Sequence, residues 1–343
     1  MVRLLVIASL LLSWQQVLAT DSAEQRAATA WAAAHAVALP ADVGAWTNKD
    51  LGALDGIVGN ARVVGFGEGA HGAHEFLIAR NRIFQYLVEQ HGFTAMVAET
   101  HPVHAQPSDA YAQGQAPLSD DAVEGVFAAN RTFSWSNRPL LENYELLEWM
   151  RQYNATRDQA QRIHFYGMDL RHPYPGAKVE PDSGDLAATM GGNVLKVLKD
   201  AGPKARVLVF VHNGHLRADL AAADAKHLTL GQYLRRALGD DLRVIGSIHH
   251  RGQLNDGGNL TVTLPAVQAG SLNQVLAAVG QPSYTLDLRS NPSSVPGRQW
   301  FDRPQQLRGS HWQGTSYYSE VTPSAGYDAF VVFAQMSPIR PYR

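Results

Sequence analysis

Short apolar runs rich in β-branched residues alternate with amphipathic helical segments along most of this chain, and that alternation is the tightest constraint on its fold. Residues 62–66, 94–98, 162–166, 206–211, 242–248 and 328–333 read as strands. Between them, His74–His91, Asp185–Asp200, Leu230–Leu238 and Ser271–Val279 carry apolar residues at helical spacing, and Gly92 stands where a helix C-cap is expected. Strands that are apolar on both sides, joined by segments long enough to cross over, predict an α/β fold: a mainly parallel central sheet flanked by helices. Residues 24–57 read as an Ala-rich helical lead-in, punctuated by Pro40 and Gly44. The stretch 105–155 predicts a helical insertion forming a lobe over the cleft, with its strongest helix at Pro139–Asn154. The loops at 172–184 and 289–316 are rich in Pro and Gly and long enough to line a cleft.

The first residues read as an address. Met1–Ala19 carries one cation, Arg3, then an apolar run over 4–12, then Val17, Leu18 and Ala19 before Thr20. This is the layout of a secretory signal peptide, with 20–343 left as one α/β domain. Gln15 and Gln16 break the run well before the ~20 apolar residues that span a bilayer. The expectation is an exported, periplasmic or secreted protein with no stable membrane insertion after cleavage. The 343 residues hold 29 Lys+Arg against 31 Asp+Glu, a formal net charge of -2, so no basic excess exists for nucleic acid. There is no Cys, and 14 His. Thiolate chemistry and Cys-ligated metals are therefore excluded, and a site must be built from imidazole, carboxylate, guanidinium or hydroxyl.

The unusual polar residues gather at one edge of the predicted sheet. Glu68 and His71 follow the first strand within Gly67–Gly72, Glu99 closes the second and Asp169 follows the third. His212 and His215 follow the fourth. In open parallel sheets ligands bind at the carboxyl ends of the strands, where the crossover loops meet. Arg80 lies on the apolar stripe formed by Phe76, Ile83, Phe84, Leu87 and Val88. A guanidinium facing the core needs a partner, and Glu68 and Glu99 are the carboxylates within reach of that reading. Trp149 reads as core, and Trp135 equally as core or as a stacking surface for a ligand. His101 and His104 read first as solvated loop histidines, and His249 and His250 as residues at a strand end that could reach the cleft.

Gly67-Glu68-Gly69-Ala70-His71-Gly72 resembles the Gly-Glu-x-x-His-Gly signature of the erythromycin esterase family. The resemblance continues through Glu75, Phe76, Arg80, the Glu89–Phe93 junction, Val97–Glu99, Leu147–Asn154, Phe165–Asp169, His212–Leu216, Tyr327–Val332 and the Arg340-Pro341 ending. It departs at Thr100–His104, where the family has an apolar and acidic segment, and the chain is shorter than the family's resistance enzymes.

The resemblance implies a metal-independent hydrolase, without a cofactor, that cleaves a small-molecule ester or lactone such as a macrolide. By position, His71 is the implied general base, with Glu68 beside it and Arg80 and Glu99 in its network. His212 is implied to stabilise the oxyanion, with His215, Asp169 and Trp135 toward the substrate. Two alternatives stay open: a metal-dependent hydrolase using Glu68, His71, Glu99, His212 and His215, and an envelope accessory or ligand-binding protein of the same fold. A serine hydrolase is disfavoured, because no Gly-x-Ser-x-Gly elbow occurs.

Overall fold

A computed structural model describes residues 22–115, 140–170, 185–219, 228–255, 260–289, 293–309 and 317–342. The strands are β1 (Val37–Leu39), β2 (Val63–Glu68), β3 (Ala95–Ala98), β4 (His164–Gly167), β5 (Val207–His212), β6 (Leu242–Asn255), β7 (Thr261–Thr263), β8 (Ser283–Asp287), β9 (Gln305–Arg308), β10 (Tyr318–Val321) and β11 (Ala329–Met336). Nine of them form one sheet in the order β1-β8-β11-β6-β2-β5-β3-β4, with β7 paired to β6. The five pairings from β11 to β4 are all parallel. The pairings of β1 with β8, β8 with β11 and β7 with β6 are antiparallel. β9 and β10 make a separate hairpin-like pair.

The period of two along each strand sorts the core into two layers. Val64 and Phe66, Met96 and Ala98, and Leu208 and Phe210 face the helices His74–His91 and Leu141–Ala155. Val63, Ala95 and Val97, and Val207, Val209 and Val211 face Ala23–His35, Leu186–Asp200, Leu230–Leu238 and Leu272–Ala277. The mainly parallel α/β architecture expected from the sequence is therefore what the chain adopts.

Two local corrections follow. The lead-in is not helical throughout, because Val37–Leu39 joins the sheet edge against β8. The strand starting at Leu242 does not end at Ile248 but runs to Asn255, since β11 pairs as far as Gly252 and β7 takes Gln253–Asn255. In the 105–155 stretch, helices Pro102–Ala112 and Leu141–Ala155 are present. Residues 116–139, with Trp135, lie outside the described residues, as do the whole 172–184 loop and Met1–Ala19. No helix among the described residues is long and apolar enough to cross a membrane.

Candidate active site

β5 inserts between β2 and β3, which places the ends of three strands from distant parts of the sequence side by side. Glu68 continues the period that buries Val64 and Phe66, and His212 continues that of Leu208 and Phe210. The two are direct register partners across β2 and β5.

Leaving β2, the chain turns sharply into the His74–His91 helix. His71 Nδ1 lies 2.6 Å from Glu68 Oε2, and both side chains are almost wholly buried. The turn requires glycine at two places. A Cβ at Gly67 would sit 2.0 Å from the Asn213 amide oxygen, and Gly72 adopts φ 82° with a carbonyl where its Cβ would stand. Asn213 Nδ2 donates to the Ser247 carbonyl at 2.7 Å, and Ser247 Oγ donates to the Gly67 carbonyl at 2.6 Å. These bonds stitch the ends of β2 and β5 to the middle of β6, making one floor.

The rings of His71 and His212 stand 4.9 Å apart, and their neighbours assign them opposite tautomers. His212 Nδ1 accepts the Gly214 amide proton at 3.0 Å. A backbone amide can only donate, so a neutral His212 carries its proton on Nε2. At His71 the Nδ1–H donates to the Glu68 carboxylate, so a neutral ring keeps its lone pair on Nε2. The site thus sets a proton acceptor beside a proton donor. Burial raises the pKa of Glu68, opposed by His71 and reinforced by Glu99. Glu99 Oε2 accepts the backbone N–H of His212 at 2.9 Å, and its Oε1 lies 3.5 Å from His215 Nε2. Glu68, His71, Glu99, His212 and His215 are therefore brought together.

Arg80 is completely buried, as its place on the stripe predicted. Among the described residues it donates to amide oxygens: Asn81 Oδ1 at 2.8 and 3.0 Å and Asn143 Oδ1 at 3.0 Å. The guanidinium sits over the Phe210 ring at 5.0 Å. Burial lowers its pKa to about 9, opposed by the charges of Glu68 and Glu142, so it remains a cation at neutral pH. Arg80 acts on Glu68 as a fixed positive charge beneath the site.

The expectation of solvated loop histidines at 101 and 104 is corrected. They are only 3% and 7% exposed, because His101 caps the Pro102–Ala112 helix and the segment packs on the end of β4. His249 does not reach a cleft from a strand end. It is buried in mid-strand against Phe76, and burial, then Arg308 and His250, push its pKa down to about 3. Asp169 is buried at the end of β4, its N–H donating to the Thr100 carbonyl at 3.0 Å, and its charge acts on His101. Trp149 packs edge-on against Phe84 at 5.9 Å, as expected of a core residue.

Sequence reasoning missed Asn81, Asn143, Asn213 and Ser247. Asn213 lies inside the His212–His215 segment, where its neighbours signal it. Asn143 gives no local signal, since its role arises from packing two distant helices together. Among the described residues, no group of three or more His, Asp or Glu side chains is arranged to hold a metal ion.

Similar proteins place this geometry in context. An erythromycin esterase type I of Escherichia coli is 31% identical over 117 residues, 34% of this chain and 26% of that protein. A type II enzyme of the same species is 28% identical over 155 residues, 44% of this chain and 34% of that protein. The matched part thus spans about a quarter to a third of those relatives. Among solved structures, a succinoglycan biosynthesis protein superposes with TM-score 0.73 and 19% identity over 94% of this chain and all of that one. An erythromycin esterase mutant in its open conformation gives TM-score 0.62 and 16% identity over 89% and 98%. Both likenesses establish the fold. The family described as Erythromycin esterase matches residues 88–183 and 185–336, a range that includes Glu99, Asp169, His212 and His215 and begins after Glu68, His71 and Arg80. The chain belongs to the erythromycin esterase family.

Proposed function

We propose that this protein hydrolyses a carboxylic ester or lactone of a small molecule, macrolide-like in class, by direct attack of water. The observation that carries the reading is the buried Glu68–His71 pair at 2.6 Å, set against the His212 ring at 4.9 Å. In this reaction His71 Nε2 removes a proton from water as the water oxygen bonds to the acyl carbon. Glu68 holds the ring through Nδ1–H and stabilises the imidazolium that forms, the usual contribution of a carboxylate behind a histidine base. Charge gathers on the carbonyl oxygen, and the His212 Nε2–H is a donor fixed in advance for it. The acyl C–O bond then breaks, and the imidazolium returns its proton to the departing alkoxide. An ester gives one acid and one alcohol, and a lactone opens to a single hydroxy acid, with no acyl-enzyme.

Glu99 supports the donor by accepting the His212 backbone N–H, and Arg80 tempers the buried negative charge. Family membership supports the esterase chemistry, and the names of the Escherichia coli relatives suggest the macrolide class. The Met1–Ala19 pattern supports export, which N-terminal sequencing of the secreted or periplasmic protein would check by a start near Thr20.

The test is a single turnover in ¹⁸O-water with a macrolide lactone and a simple aryl ester. The label should appear in the product acid in the first turnover. An unlabelled first product would mean that an enzyme carboxylate had attacked instead.

A further inference from the structure

One histidine beside the site repeats the device found at His212. His101 stands three residues beyond β3, as His212 stands at the end of β5, and these two strands are neighbours. Each is the N-cap of the helix that follows. His101 Nδ1 accepts the Val103 N–H at 3.2 Å, as His212 Nδ1 accepts that of Gly214 at 3.0 Å. The cap therefore forces the proton of a neutral His101 onto Nε2.

That Nε2 is buried and has no hydrogen-bond partner among the described residues. Leaving a buried donor unsatisfied costs about 1–3 kcal/mol, and such a group in a folded protein calls for an explanation. The ring is not placed by accident. Its segment crosses β4 at Gly167, where a Cβ would come within 2.8 Å of the His101 carbonyl group. Pro102 fixes the first helical turn after it. Burial favours the neutral ring, against the charge of Asp169, so it presents a donor rather than a cation.

We propose that the Nε2–H of His101 is a substrate-binding donor, completed by an uncharged acceptor oxygen (hydroxyl, ether or carbonyl) on the body of the ester rather than at its scissile bond. Asp169, at the neighbouring strand end, disfavours an anion there and so selects neutral, oxygen-rich substrates. The proposal rests on the esterase reading, and deepens it to substrate class.

His101→Asn separates binding from folding. Asparagine is a good N-cap and keeps an acceptor for the Val103 amide, while the distal donor is lost. With a polyhydroxylated macrolide lactone, the variant should show KM raised about tenfold, the value of one hydrogen bond of ~1.4 kcal/mol. With p-nitrophenyl acetate, which has no such oxygen, kcat and KM should match the parent protein. Equal losses on both esters, or none on either, would overturn the proposal. If the parent protein hydrolyses neither ester, the esterase reading falls on its own. His101 is then judged by calorimetric titration of the same lactone. Binding about tenfold weaker in His101→Asn supports the donor, and equal affinity or no binding overturns it.

Discussion

Two histidines three residues apart meet two buried glutamates in the same geometry, with opposite electrostatic results. His71 Nδ1 lies 2.6 Å from Glu68, and His74 Nδ1 lies 2.6 Å from Glu142. Glu142 is fully buried, yet it also accepts the backbone N–H of Arg340 at 3.0 Å and its Nε at 3.1 Å. Burial alone would raise its pKa, but the bonds from His74 and Arg340 more than offset that, and it lies below the usual carboxyl range. At Glu68 burial wins and the pKa lies above that range, with Oε1 left without a hydrogen bond among the described residues. A His–Glu contact alone therefore says little about chemistry. What distinguishes the pair at the sheet edge is a carboxylate left short of donors among the described residues. The second pair ties the start of one helix to the chain's last residues.

The comparison breaks most visibly at the histidines. His71→Ala should fold normally and lose about 10²–10⁴-fold in hydrolytic rate, the contribution of a positioned base. Full activity in this variant, measured beside an unchanged melting curve, would remove the base assigned here. Next in size is Glu142→Ala, which strands Arg340 and His74 and frees the anchored C-terminal segment. It should lower stability by about 3 kcal/mol, the low end for breaking a buried charge pair because Arg340 is partly exposed. Urea denaturation measures this, and an unchanged midpoint would show that the second pair is not structural.

A matched pair of amide substitutions sharpens the contrast through pH. Because the fold raises the pKa of Glu68, its contribution to stability is fully present below the usual value of 4.5 and is lost as pH rises through the folded value. Because the fold lowers that of Glu142, its contribution is present above 4.5 and lost as pH falls through the folded value. Glu68→Gln should therefore be as stable as the parent, or more so, at pH 7 while losing activity. Glu142→Gln should be less stable at pH 7 and show a flatter loss of stability in acid. Denaturation curves from pH 3 to 8 decide between these signs. The smallest effect belongs to His74→Ala, with one partly buried hydrogen bond removed for about 1 kcal/mol and the rate retained. A loss of rate comparable to that of His71→Ala would erase the distinction between the pairs.

How legible these features were in the sequence follows from where their causes lie. The helices His74–His91 and Leu230–Leu238 carry their own periodicity and caps, so their limits could be read directly. The edge strand Val37–Leu39 and its neighbour Ser283–Asp287 were not read as strands, because they are short and are defined by pairing with each other and with β11. β6 continues through the polar residues His249–Asn255 because β11 and then β7 pair with it in turn, a long-range cause. The site shows the same division. Glu68, His71, Glu99, His212 and Asp169 were visible because each follows an apolar run. The burial of Arg80 was visible from helical spacing, but its amide partners were not, since Asn143 reaches it from a helix 63 residues away. His101 looked solvated because a histidine after a strand gives no sign of being locked by its own helix.

The insertion of β5 between β2 and β3 also governs when a working site can exist. Val207–His212 follows β3 by more than a hundred residues in sequence, yet supplies the central strand of the three. Until it arrives, β2 and β3 have no direct pairing, and their facing edges are open to slow, long-range closure. A ribosome-bound chain that has released only the first two hundred residues therefore holds His71 without its partner ring. Acquisition of hydrolytic activity in a refolding experiment should consequently track completion of the whole parallel sheet, lagging behind the early helical signal, so that turnover itself becomes the clock for the last strand to dock.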